Sequence, residues 1–65
     1  MTKSEQREVN KLRAWVEAGL CSPGMVARIL SAMVRASRTS RSREALLQVA
    51  DELRVKGHPE FIARI

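Results

Sequence analysis

At 65 residues the chain has room for one small domain and no second core. Its formal charge of +5, from 12 Lys and Arg against 7 Asp and Glu, favours acidic partners without specifying a fold. Cys21 is the only cysteine and His58 the only histidine, so an internal disulfide is excluded and, with a single thiol and a single imidazole as ligands, no metal site is expected.

A domain of this size buries only about 60% of the surface that its unfolded chain exposes. Without disulfide or metal, self-association is the remaining common source of stability, and a homodimer is expected. No apolar run approaches the roughly 20 residues that span a bilayer, and Arg28 interrupts the best candidate. The N-terminal MTKSEQREVN has no hydrophobic segment of the signal-peptide kind. A lone thiol without an export signal implies the reducing cytoplasm.

Thr2 and Glu5 have capping-box spacing, with Ser4 as an alternative N-cap. Val9, Leu12, Trp15 and Val16 then recur at three- and four-residue intervals, one face of a first helix over about 4–18. Gly19 suits its C-terminal cap because glycine takes positive φ without a Cβ clash.

Ser22 and Pro23 restart the chain, the serine as N-cap and the proline at the first helical position. Val26, Ile29, Leu30, Met33 and Val34 form a broad apolar stripe, with Met25 at its edge, over a second helix at 23–36.

Next comes RASRTSRSRE, residues 35 to 44, in which large apolar side chains disappear. Its serines and threonine compete with helix by bonding their own backbone, so a break is expected within 37–42. Neither Gly nor Pro enforces one, and a continuous helix is the alternative. Leu46, Leu47, Val49, Ala50 and Leu53 define a third helix over about 42–56, with Glu44 in its first turn and Gly57 as its stop. Pro59 opens a short final turn at 59–64, carrying Phe61 and Ile62, with Ile65 just beyond. The fold class is all-α: three helices in one domain, 1–65, paired as a dimer through Leu12, Trp15, Ile29, Leu30, Leu46 and Leu53.

Catalytic chemistry has little material. His58 stands beside a helix-stopping proline, and Cys21 lies in an inter-helix turn as a small half-buried residue. The chain has no phosphate-binding glycine loop and no nucleophile motif. A non-enzymatic protein without cofactor is expected.

The arginines carry the binding expectation. Arg35, Arg38, Arg41 and Arg43, helped by Arg28, make a local positive surface whether the chain turns or stays helical. Three readings stand open: a solvated hinge, a docking surface for a protein, and a phosphate-binding surface. Trp15 and Phe61 are the only aromatics, and both fit apolar faces, so stacking on single strands is poorly served. A helix-turn-helix would place its tight turn at Gly19–Ser22 and its recognition helix in PGMVARILSAM, reading bases through Arg28 and Ser31. Trp15, four residues before the glycine, is too large for that motif's close helix approach.

The segments KLRAWVEAGLCSPGMVARILSAMVRASRTSRSREALLQVADEL and GHPEF resemble the small early-region proteins of Mu-like transposable bacteriophages. The resemblance rests on the AGLCSP turn, the arginine- and serine-rich joint and the ALLQVADEL helix. It implies a host-takeover or phage-regulatory role in the host cytoplasm. One known type in that class is a quorum-sensing anti-activator, which occludes a host transcription regulator. The expected function is therefore binding and inhibition or modulation of a host protein, with a small basic DNA-binding regulator as the alternative.

Overall fold

The computed structural model describes residues 1–62, which form three α-helices and, among those residues, no strand. α1 spans Lys3–Glu17, α2 Pro23–Ala36 and α3 Ser40–Glu52. The radius of gyration, 10.7 Å, matches the value of about 11 Å that size scaling gives a compact chain of this length.

Each helix starts where a side chain satisfies a free amide. Thr2 Oγ1 accepts from the Glu5 amide at 3.1 Å while Glu5 Oε1 accepts from the Thr2 amide at 2.8 Å, a complete capping box. Ser22 accepts from the Met25 amide ahead of Pro23 at the first helical position. Thr39 accepts from the Ser42 amide at 3.1 Å.

α1 ends in a Schellman turn. Gly19 takes φ +72°, the Leu20 amide donates to Trp15 O at 2.9 Å, and the Gly19 amide donates to Val16 O at 3.1 Å. α3 ends in the same way at an arginine: Arg54 has φ 61°, with Val55 N–H to Ala50 O at 2.9 Å and Arg54 N–H to Asp51 O at 3.0 Å. The helix expected to reach 56 and stop at Gly57 therefore stops at Glu52. At 100° per residue, a longer helix would carry Val55 onto the exposed side with Gln48 and Asp51. The turn instead folds Val55 into the core, where it is 2% exposed.

Val9 and Leu12 from α1, Val26, Ala27, Leu30 and Val34 from α2, and Leu46, Val49 and Ala50 from α3 close the core together with Val55. α2 and α3 make the closest helix pair. α1 is tied to α3 by the Arg13–Glu52 ion pair at 2.6 Å, an exposed contact worth about 0.2–1 kcal/mol.

After Val55 the chain returns along α2. A turn brings Phe61 N–H to His58 O at 2.9 Å, with Pro59 at its first corner, so the final turn expected from 59 begins here; residues 63–65 lie outside the described residues. Ser31 anchors the segment from inside the fold. Its hydroxyl donates to Ala27 O at 2.6 Å and accepts the Ile62 amide at 2.8 Å.

Candidate interaction surface

The arginine-rich stretch divides between two helices and a three-residue joint, Ser37 to Thr39. Ser37 is the C-cap of α2, extended at φ −67°, ψ 138°, and its hydroxyl donates to Val34 O at 2.6 Å. That bond satisfies a carbonyl at the helix end and turns the chain outward. Two residues later Thr39 already caps α3. The break expected over 37–42 is thus real and shorter, because Ser40–Arg43 belong to the beginning of α3.

Arg35 stands in the last turn of α2, Arg38 in the joint, and Arg41 and Arg43 at the start of α3. Arg35, Arg38 and Arg41 are exposed and Arg43 is half-buried. Among the described residues none of the four forms an ion pair. The Arg43 Nε is buried and has no hydrogen-bond partner there.

Glu44, expected in the first turn of α3, falls beyond it, and that turn contains no acidic residue. Cations at a helix N-terminus oppose the helix dipole at about 0.3–1 kcal/mol each. Arg41 therefore stands where local helix physics prefers a carboxylate, and the amides of the first turn add to its positive field.

Arg28 is set apart from this cluster. It lies seven residues before Arg35, about 10 Å along the α2 axis, and its Nε is 3.5 Å from Glu60 Oε2. Ser22, Gly24, Met25, Arg28 and Glu60 line an open depression of about 250 Å³ beside it.

Of the residues expected to mediate self-association, Leu12, Leu30 and Leu46 are 2%, 0% and 0% exposed within one chain. They are consumed by the chain's own core and offer a second copy no surface. Ile29 and Leu53 are half-buried, and Trp15 is 39% exposed with Lys11 Nζ 5.0 Å from its ring centroid.

The helix-turn-helix reading meets a geometric obstacle. Ser31, one of its two base-reading side chains, is 2% exposed and holds the C-terminal segment. Arg28, the other, lies 3.5 Å from Glu60 and its side chain stays largely exposed.

Sequence reasoning passed over Ser31 as an anchor and Glu60 as the partner of Arg28. Ser31 was findable, since Ala27, Ser31 and Val34 share one side of α2 with the core. Glu60 was not, because its position depends on the return of the chain after Val55.

Among the described residues no helix is long and apolar enough to cross a membrane, and no group of three or more His, Cys, Asp or Glu could hold a metal ion. No protein family matches the chain, and neither a curated protein nor a solved structure matches it.

Proposed function

We propose that the chain is a small non-enzymatic binding protein that inhibits or modulates a host protein, such as a transcription regulator, from the bacterial cytoplasm. The resemblance to early proteins of Mu-like phages motivates the host target. The observation that carries the reading is the joint itself: Arg35, Arg38 and Arg41 are exposed without a carboxylate partner among the described residues, next to the positive end of α3.

A carboxylate-bearing protein surface fits these groups well. Guanidinium forks bind carboxylates with two parallel hydrogen bonds, which fixes geometry as well as charge. A DNA-reading helix is less well supported, because Ser31 is covered.

The test is affinity capture from nuclease-treated host lysate with two double variants. Arg38→Lys with Arg41→Lys keeps the charge and removes the fork, and should weaken capture markedly. Arg38→Ala with Arg41→Ala should abolish it. Equal capture by the wild-type and lysine versions, together with DNA binding that falls steeply with salt, would move the assignment to phosphate recognition.

A further inference from the structure

α2 is apolar nearly all the way round. Its sequence, PGMVARILSAMVRA, has no Asp or Glu, and its only charges are Arg28 and Arg35. The core takes Val26, Ala27, Leu30, Ser31 and Val34. Opposite, at 100° per residue, Met25, Ala32 and Ala36 form a second line, with Ile29, which itself packs against the core, at its border. Met25 is 50% exposed, Ala32 and Ala36 are exposed, and Ile29 is half-buried. A helix apolar on both sides is normally covered on both. Here the core covers one side and, among the described residues, Met25, Ala32 and Ala36 are left exposed.

Arg28 and Arg35 border that second line along one edge, and the Arg28 side chain is 75% exposed despite its contact with Glu60. An apolar centre with a cationic margin is the anatomy of a protein contact. Ala32 and Ala36 present only methyl groups, so a facing helix axis can approach to the short end of the usual 8–10 Å. The 14 residues of α2 give a track of about 21 Å.

Charge decides the occupant. An α2-to-α2 pairing of two copies would bring the same carboxylate-free helix, setting arginine against arginine or against the uncharged edge. A helix with Glu or Asp along one side of its apolar stripe would meet Arg28 and Arg35 instead. Building on the proposed protein-binding function, we infer that the outward face of α2 docks an amphipathic, acid-edged helix of the partner protein.

Two synthetic helical peptides with the same Leu and Ala stripe test this, one edged with Glu and the other with Lys. Fluorescence anisotropy should show the Glu-edged peptide binding at least about tenfold more tightly, the preference disappearing in Arg35→Ala. Ala32→Gln, an exposed change to a good helix former, should weaken the Glu-edged peptide about tenfold with circular dichroism unchanged. Equal affinity for both peptides, or no binding of either, overturns the inference. So does self-association in sedimentation equilibrium that Ala32→Gln abolishes, which would make a second copy the occupant. The underlying reading is separable. Host-protein capture weakened by Arg38→Lys with Arg41→Lys, yet untouched by Ala32→Gln, would leave the arginine joint in place and remove α2 from the contact.

Discussion

The Ser42 hydroxyl donates to Glu5 Oε1 at 3.2 Å across 37 positions of sequence, joining the first turn of α1 to the first turn of α3. The same oxygen accepts the Thr2 amide, so one carboxylate closes the capping box of α1 and holds the start of α3 beside it. The two N-termini are therefore fixed together at the end of the molecule that carries Arg41.

Glu5 should make stability depend on pH. Its carboxyl lies below the ordinary glutamate value, chiefly because the Thr2 amide bonds its charged form, with burial opposing and the Thr2 and Ser42 side chains and the N-terminal charge assisting. A depressed folded value means the contribution is fully present above the ordinary glutamate value. It is lost as pH falls through the folded one. Glu5→Gln keeps the capping-box acceptor but cannot titrate, so its urea midpoint should fall less on acidification than that of the wild type. Identical acid profiles would refute the assignment.

Ser31→Ala should release the C-terminal segment. It removes the acceptor of the Ile62 amide and the donor to Ala27 O. Because Ile62 is 53% exposed and water can reach its amide, the expected cost is modest, about 1 kcal/mol. Hydrogen exchange gives the sharper readout: the Ile62 amide should lose its protection while Leu30 and Val34 keep theirs. Retained protection at Ile62 would mean that the segment is held by other contacts.

Two residues close their helices in the same left-handed conformation, and substitution should move them in opposite directions. At Gly19 an added Cβ meets nothing within 4 Å, so Gly19→Ala isolates the backbone cost at φ +72°, about 1 kcal/mol destabilising. At Arg54, φ 61°, the native residue already bears that strain. Arg54→Gly should therefore stabilise by about 0.5–1 kcal/mol, the relief being partly offset by greater freedom of the unfolded chain. Thermal melts of both variants decide the matter.

The starts of α1 and α2 were legible in sequence because each rests on local chemistry: Thr2 with Glu5, and Ser22 with Pro23. Gly19 was legible for the same reason. The end of α3 was missed because nothing local marks Arg54 as left-handed. The readable signal was Val55, out of phase with Leu46, Val49, Ala50 and Leu53. At the joint, several hydroxyls are competent caps, and tertiary contacts select among them: Ser42 is only 7% exposed against Glu5, which leaves Thr39 to cap. Which leucines would be buried within one chain depended on how three stripes met, and periodicity alone could not divide Leu30 from Ile29.

Ser40→Asp should trade binding for stability. Ser40 is the first residue of α3, exposed, with Arg41 next in sequence and Arg38 two residues before. A carboxylate there complements the helix dipole, worth about 0.3–1 kcal/mol. Glu44 four residues on opposes it by about 0.2–0.5 kcal/mol, while the neighbouring arginines add attraction. The net expectation is a gain of about 0.5 kcal/mol in urea unfolding. The same carboxylate offers those arginines a partner inside the chain and competes with one on the target. Host-protein capture should accordingly fall as stability rises. A variant that is more stable and captures its partner undiminished would show that the arginines near α3 do not bind carboxylates.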